Sequence, residues 1–244
     1  MARFKNYVDV HLVGYLSKPR IVVSDKGEFV FASVSTSIRE NLNGELITRV
    51  ETWHNLVPRT PVVADSIRLY NKKNRTVSVK GRLTQRTFEH KGIMRTVCEV
   101  QVFQPVVAEP TRKWQGFAQI QGTLEQEPHV AFPRPENPWD KVEIEIQIKT
   151  ETFTKTLTGW KSNVQHLPVV FYGEQWIDQI RSLHTGDKVR LLTTLDYSKT
   201  EQAKTLVEVP QMAGLSLLTE AEILSVDQGL SLPNTYSRYL TLAV

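Results

Sequence analysis

The feature that most constrains the fold is an alternation of apolar and polar residues that recurs in short segments along the chain. The clearest case is the segment 142–149, in which Val142, Ile144, Ile146 and Ile148 are separated by Glu and Gln residues. Successive side chains of a strand point to opposite faces, so a period of two is typical of strands that bury one face. We therefore predict an all-β fold.

The strand-like segments follow the same order in both halves of the chain. Each half opens with a long strand that ends in Gly-x-Leu, at Gly14–Leu16 and at Gly122–Leu124. Two strands, a short helix and two more strands follow. Apolar residues spaced at i, i+4 and i+7 predict the helices over residues 62–71 and 173–184. This is the order of a five-stranded barrel with a helix after its third strand, and we predict two such barrels in tandem.

A proline-containing junction over residues 104–113 separates the two halves. We predict an N-terminal domain over 1–109, a second and divergent domain over 110–212, and a C-terminal extension over 213–244. Residues 215–224 of the extension have a composition compatible with a helix. The extension either packs on the second barrel or contacts another subunit, and the sequence does not distinguish these roles.

Basic residues are concentrated in the N-terminal half. Residues 1–109 contain 17 Lys and Arg against 10 Asp and Glu, and the rest of the chain contains 13 against 16. A basic half favours an anionic partner. The outward positions of 142–149 begin with two glutamates, which repel phosphate, so we expect the second half to bind nucleic acid poorly.

Several functional classes have no support in the sequence. Cys98 is the only cysteine, which excludes an internal disulfide. The sequence contains no phosphate loop, dinucleotide-binding glycine pattern or His-Glu-x-x-His motif. We therefore expect no catalytic residue, metal or cofactor, and we expect that the protein is not an enzyme. We see neither a signal peptide nor an apolar run near the roughly 20 residues of a membrane-spanning helix, and expect a cytoplasmic protein without a membrane partner.

Two strands of the basic half place an aromatic residue on a polar face. Trp53 shares its phase with Arg49, and Phe88 continues the phase of three cations, Lys80, Arg82 and Arg86. Exposed aromatic rings stack on nucleobases without regard to sequence, and cations contact phosphates. We predict that this barrel binds single-stranded DNA.

Further cations and aromatic residues extend this prediction. The loop cations that would lengthen the DNA path are Arg20, Lys26, Arg39, Lys72, Lys73, Arg75 and Lys91. In the second half, secondary DNA contacts would come from Trp160, Tyr172, Tyr197 and Lys199. The alternative for these aromatic residues is packing inside the barrel or at a subunit interface. His54, beside Trp53, is interpreted as a packing or hydrogen-bonding residue and not as a base.

The first half resembles the bacterial single-stranded DNA-binding protein family over about residues 4–104. The stretches that carry the resemblance are Val10–Leu16, Phe31–Ser37, Glu51–Val57 with its Trp-His pair, and Val79–Thr84 with its Lys-Gly-Arg-Leu run. A fainter resemblance covers Val169–Gly173 and Leu183–Val189 in the second half.

This resemblance implies an oligonucleotide-binding fold (OB-fold) in each half and a homodimer of two-barrel chains. Trp53 matches a stacking tryptophan of the family, and Phe88 falls where a second one lies. Arg39 falls near a third tryptophan position and Arg59 near a stacking phenylalanine. The resemblance therefore implies a DNA-binding surface that has exchanged some stacking for charge, in a protein of DNA replication, recombination or repair.

A second function stays open on the sequence alone. The acidic second half also fits an OB-fold interaction module that scaffolds a replication-restart or recombination complex, in which DNA contact is secondary.

Overall fold

The computed structural model describes residues 5–25, 27–42, 45–70, 76–109, 115–134, 136, 141–156, 159–202 and 205–227. Within these ranges the side chains of 24, 38–42, 45–50, 154–156, 160–161, 198–202, 205–208 and 226 are not described.

Strands dominate the described chain, which confirms the predicted all-β class. The strands are β1 (Tyr7–Leu16), β2 (Arg20–Ser24), β3 (Gly27–Leu42), β4 (Glu45–Pro58), β5 (Thr76–His90), β6 (Ile93–Val102), β7 (Val107–Ala108), β8 (Gln115–Leu124), β9 (His129–Ala131), β10 (Glu143–Thr156), β11 (Gly159–Tyr172), β12 (Lys188–Thr194), β13 (Asp196–Gln202) and β14 (Thr205–Thr219). The helices are α1 (Pro61–Leu69), α2 (Ile177–Arg181) and α3 (Glu220–Asp227), and a 3₁₀ turn occupies Glu174–Trp176.

The chain forms two compact units, each built from separate stretches of sequence. The N-terminal unit comprises Asp9–Phe117 and Asp196–Val209, and the C-terminal unit comprises Met1–Val8, Ala118–Leu195 and Pro210–Val244. The sequence predicts continuous domains instead, because hydrophobic alternation does not reveal which distant segments pair. The return of 196–209 to the N-terminal unit follows from the pairing of β14 with β6 at Thr205–Val207.

Five strands of the N-terminal unit pair in a closed ring. β1 pairs with β3 and β5, β5 pairs with β6, β6 pairs in parallel with β4, and β4 pairs with β3. Apolar side chains from these strands fill the interior, and Leu12, Val34, Leu56, Val79 and Val100 are all at most 1% exposed.

Both Gly-x-Leu segments lie where two strands approach closely. A Cβ atom at Gly14 would lie 1.9 Å from the carbonyl oxygen of Ser35 on β3. A Cβ atom at Gly122 would lie 2.6 Å from the carbonyl oxygen of Lys149 on β10. Only a glycine fits at either point, so the repeated motif marks the closing contact of the first strand of each unit.

The C-terminal unit repeats this pairing scheme. β8 pairs with β10 and β12, β10 pairs with β11, and β14 pairs with β11 and β12. Val142, directly before β10, and the predicted inward residues Ile144, Ile146 and Ile148 of β10 are at most 2% exposed. Alternation therefore identified the buried face of this strand correctly.

The two predicted helices are present after the third long strand of each unit, with changed bounds. Helix α1 begins after Thr60, whose hydroxyl accepts a hydrogen bond from the Val63 amide at 3.3 Å, and it has proline in its first turn. The second is shorter than predicted, since the 3₁₀ turn precedes the five-residue α2.

The helix considered over 215–224 is placed wrongly by the sequence. Residues up to Thr219 continue β14, and helix α3 begins at Glu220. Pairing of Leu217 and Leu218 with β12 explains the difference, because tertiary contacts override local helix preference. Residues 228–244, and with them most of the predicted extension, lie outside the described residues.

Candidate nucleic-acid interface

Neighbouring strands of the N-terminal unit share a side that faces away from the packed interior, although Ser35, Ser37 and Glu99 on this side are themselves buried. Asn55 of β4 lies opposite Glu99 of β6, which lies opposite Thr84 of β5. Paired residues share a face of a sheet. Leu56 and Val100, one position further, are buried on the inner side. We name this surface the outer face: the odd-numbered residues of 29–37, 51–57 and 95–101, and the even-numbered residues of 80–88.

Trp53 lies open on the outer face, as its phase predicts. Its side chain is 46% exposed, while Thr52 and His54 on either side are buried. The residue opposite Trp53 on β3 is Ser35, whose hydroxyl donates to the Glu51 carboxylate at 2.6 Å. A serine is too small to cover an indole ring, so the tryptophan keeps a surface on which a base can stack.

Phe88 is less open than Trp53, because a cation covers part of its ring. The guanidinium carbon of Arg86 lies 4.4 Å from the centre of the Phe88 ring. Arg86 also donates to the Glu99 carboxylate through Nε at 3.0 Å and Nη2 at 2.7 Å, and this hydrogen bond raises the pKa of Arg86. Arg86 is therefore engaged by a carboxylate and an aromatic ring before any phosphate arrives.

Lys80 and Arg82 are exposed on the same strand as Arg86. Arg82 lies near the Asp9 carboxylate, with Nε and Oδ1 3.6 Å apart, and its guanidinium carbon is 5.8 Å from the centre of the Phe103 ring. Burial raises the pKa of Asp9, against the opposing effect of Arg82. Exposed ion pairs of this kind are weak, so a phosphate can replace Asp9 as the partner of Arg82.

The remaining predicted cations fall into three groups. Arg20 and Arg59 are exposed, on β2 and directly after β4, and Lys91 is exposed in the turn between β5 and β6. Arg39 and Arg49 lie in β3 and β4, but their side chains are outside the described residues. Lys26, Lys72, Lys73 and Arg75 lie outside the described residues altogether.

Sequence reasoning missed three exposed phenylalanines of the N-terminal unit: Phe29, Phe31 and Phe103. The signal for two of them was present. Val30 and Ala32 point inward, so the alternation of β3 places Phe29 and Phe31 on the outer face. A large apolar residue in the polar phase of a strand therefore predicts an exposed side chain, as it does for Trp53.

His54 lies beneath the outer face in a buried hydrogen-bond network, as interpreted from the sequence. Its Nε2 is 2.8 Å from the Thr36 hydroxyl, and its Nδ1 is 3.0 Å from the Tyr197 hydroxyl. Burial lowers the pKa of His54 to about 4, against the smaller opposing effect of Asp196. A neutral imidazole with two hydroxyl partners is a structural group, and it holds β4 in place behind Trp53.

Tyr197, predicted as a secondary DNA contact, is half-buried and joined to His54 by this hydrogen bond. The neighbouring Asp196 accepts a hydrogen bond from the Thr52 hydroxyl at 2.7 Å. The start of β13 therefore supports the inner side of β4. Its geometry fits a bracing role better than a stacking role.

The C-terminal unit offers a different surface. Tyr172 is 45% exposed, but it pairs across the strands with Glu143, and burial together with that carboxylate raises the pKa of the phenol. Glu145 lies exposed two residues further along β10. Neighbouring carboxylates disfavour a phosphate here. The side chains of Trp160 and Lys199 are outside the described residues.

The part of the chain that the structure describes contains no group of three or more His, Cys, Asp or Glu side chains arranged to hold a metal ion. In the same part of the chain, no helix has the length and apolar character needed to span a bilayer.

Comparison with known proteins gives a match at the level of structure. Models of protein families find no match to the sequence, and curated proteins give none either. Among solved structures, the wild-type single-stranded DNA binding protein from Thermus aquaticus superposes with a TM-score of 0.62 at 15% identity, over 88% of this chain and 93% of that chain. The chain has the fold of a single-stranded DNA-binding protein.

A deletion mutant of the same Thermus protein gives a TM-score of 0.60 at 15% identity, over 88% of this chain and 95% of that one. At this coverage the likeness to single-stranded DNA-binding proteins includes residues of both units. The resemblance inferred from short stretches of sequence is thereby confirmed for the fold.

Proposed function

We propose that the chain binds single-stranded DNA without sequence preference, on the outer face of its N-terminal unit. The observation that carries this proposal is the exposed Trp53 ring on a face that also presents Lys80 and Arg82. Aromatic stacking is worth about 1–3 kcal/mol per base, and nearby cations add attraction to phosphates that weakens as salt rises. The Thermus proteins of the same fold are named for this ligand.

The proposal assigns the DNA path to Trp53 and Phe88 as stacking residues and to exposed cations as phosphate contacts. The cations assigned to this path are Arg20, Arg39, Arg49, Arg59, Lys72, Lys73, Arg75, Lys80, Arg82 and Arg86. Arg86 contributes after exchanging Glu99 for a phosphate. Secondary contacts by the C-terminal unit would come from Trp160, Tyr172 and Lys199.

We further propose that the two units are tandem OB-fold barrels of a homodimer that protects single strands in the cytoplasm during replication, recombination or repair. The closed pairing of five strands in each unit supports the barrels. A protein of this kind acts by binding and not by catalysis.

Tryptophan fluorescence tests the proposed interface. Titration with oligo-dT should quench the fluorescence of the full chain, and added salt should reverse the quenching. Trp53→Ala should weaken binding by roughly 10- to 100-fold, the equivalent of one lost stacked base. Trp176→Phe is the matched control, since Trp176 packs against Phe171 in the C-terminal unit. Equal affinities for Trp53→Ala and the control would contradict the interface.

A scaffold function is the second candidate, and the surface of the C-terminal unit favours it. Phe153, Val164 and Tyr172 are exposed on β10 and β11 beside the acidic positions of β10. Exposed apolar side chains among carboxylates suit a protein partner better than DNA. A chain that binds oligo-dT no better than duplex DNA, and that forms a stable complex with one protein of the replication-restart or recombination machinery, would favour this function.

A further inference from the structure

A groove lies at the end of the outer face, beside the first turn of α1. Phe29 and Phe31 of β3, which are 44% and 38% exposed, line one side of it. Val57 and Arg59 at the end of β4 line another. Its volume is about 440 Å³, and all lining residues belong to the N-terminal unit.

The groove continues the surface that contains Trp53. On β3, Ser35 lies opposite Trp53 and Ser33 opposite Asn55, and Phe31 is the next residue in the same phase. Ser35 and Phe31 are four positions apart, which corresponds to about 13 Å along a strand. β3 and β4 pair directly over this stretch, so a ligand that leaves the Trp53 ring along β3 and β4 reaches Phe31 without changing face.

Charge in and beside the groove suits a phosphate backbone. Arg20 on β2 lies opposite Phe31, and Arg59, directly after β4, lines the groove. Both are exposed, and among the described side chains neither forms an ion pair. The two carboxylates of the groove, Glu28 and Asp65, both contact Arg68. Arg59 and Arg68 balance the two carboxylates of the lining, and Arg20 beside the groove adds one positive charge.

We propose that this groove is a second nucleotide-binding subsite for the same strand of DNA. Bases stack on Phe29 and Phe31, while Arg20 and Arg59 contact the flanking phosphates. This inference rests on the proposed function, and it adds two aromatic rings of β3 to a DNA path that already includes Arg20 and Arg59. Single-stranded DNA fits better than a protein segment, because the two exposed rings lie beside Arg20 and Arg59, which form no ion pair among the described side chains, on the face that carries Trp53.

Photo-cross-linking to the full chain tests the subsite directly. The probe is oligo-dT with 5-iododeoxyuridine at successive positions, and cross-linked peptides are identified by mass spectrometry. We expect cross-links to a peptide that contains Phe29 and Phe31 and to another that contains Trp53. Cross-links to the Trp53 peptide alone would overturn the subsite and leave the proposed function standing. Cross-links to neither peptide would overturn both.

The double variant Phe29→Ser and Phe31→Ser tests the energy of the subsite. For an oligo-dT of about 16 nucleotides, the upper end of an OB-fold site, we expect affinity to fall roughly 10- to 100-fold. Phe132→Ser is the matched control, because Phe132 is 61% exposed in the C-terminal unit. Circular dichroism verifies folding. A folded double variant with the control's affinity would overturn the subsite, and the cross-linking decides the matter if that variant does not fold.

Discussion

At the scale of single residues, the aromatic side chains of the outer face differ in what already covers them. Trp53 faces a serine across the strands, whereas Phe88 carries the Arg86 guanidinium on its ring. The Glu99 carboxylate accepts hydrogen bonds from two nitrogens of that guanidinium and is itself only 8% exposed. DNA that uses Phe88 must first displace Arg86, so Glu99 opposes binding at this position.

Removing the charge of Glu99 should therefore strengthen DNA binding. In Glu99→Gln, Arg86 loses its ionic partner and becomes available to a phosphate, so we expect higher affinity for oligo-dT. The slope of log K against log salt should steepen by about 0.7, the contribution of one additional phosphate contact with a single strand. Both quantities come from fluorescence titrations at several salt concentrations.

Glu143→Gln provides the control, since it makes the same change in net charge on the exposed surface of β10. Identical slopes for the two variants would show that only total charge matters, and would contradict a local role for Glu99.

His54 predicts how stability depends on pH. Its pKa is about 4 in the folded chain and 6.5 when unperturbed, so the unfolded state takes up the proton first as pH falls. The stabilisation is complete above pH 6.5 and is lost between there and about pH 4, by about 3 kcal/mol in total. Urea unfolding of the wild type and of His54→Gln across this range measures the loss.

We expect His54→Gln to show a weaker decline in stability on acidification than the wild type. His90→Gln serves as the control, because His90 is exposed at the end of β5. The assignment fails if His54→Gln and His90→Gln lose stability in parallel with the wild type.

At the scale of elements, β4 is supported from both sides by segments that are far apart in the chain. On the inner side, the start of β13 contributes Asp196 and Tyr197 to Thr52 and His54. On the edge, the C-terminal part of β4 pairs with β6 from Asn55 to Pro58. Trp53 lies between these two sets of contacts. They hold the backbone of β4 in place and leave the indole ring uncovered.

The brace formed by Tyr197 gives an expectation at this scale. Tyr197→Phe keeps the ring but removes the hydroxyl that pairs with the buried His54, so we expect a loss of about 1–3 kcal/mol in the free energy of unfolding. Oligo-dT affinity of the folded variant should stay close to that of the wild type. Chemical denaturation monitored by circular dichroism measures the stability.

Tyr172→Phe is the matched control, because the Tyr172 side chain is exposed. Unchanged stability in Tyr197→Phe, together with weaker DNA binding, would return Tyr197 to the stacking role that the sequence suggests.

At the scale of the whole molecule, features that depend on local sequence pattern can be predicted, whereas features that depend on pairing between distant segments cannot. Alternation in β5 and β10 identified the buried residues, and the Gly-x-Leu motif located the closing contacts. Trp53 was placed on the correct face for the same reason. The ion pair of Arg86 with Glu99 lay beyond prediction, because it depends on the register of two strands.

The two units were harder to infer than the strands within them. Their stretches interleave along the chain, and no pattern in residues 196–209 indicates that Asp196 and Tyr197 contact β4. The bond between His54 and Tyr197 spans 143 residues. A contact between residues so far apart produces no periodic pattern in the sequence. The outward position of Phe29 and Phe31, in contrast, follows from the alternation within β3.

The interleaving of the two units also determines when the N-terminal unit can finish folding during translation. Because Tyr197 follows His54 by 143 residues, the N-terminal unit stays incomplete while those residues are translated. At about 5–20 residues per second, the wait is on the order of ten seconds. During that time the imidazole beneath Trp53 has no Tyr197 partner. The N-terminal unit therefore cannot complete its folding before most of the C-terminal unit has been synthesised.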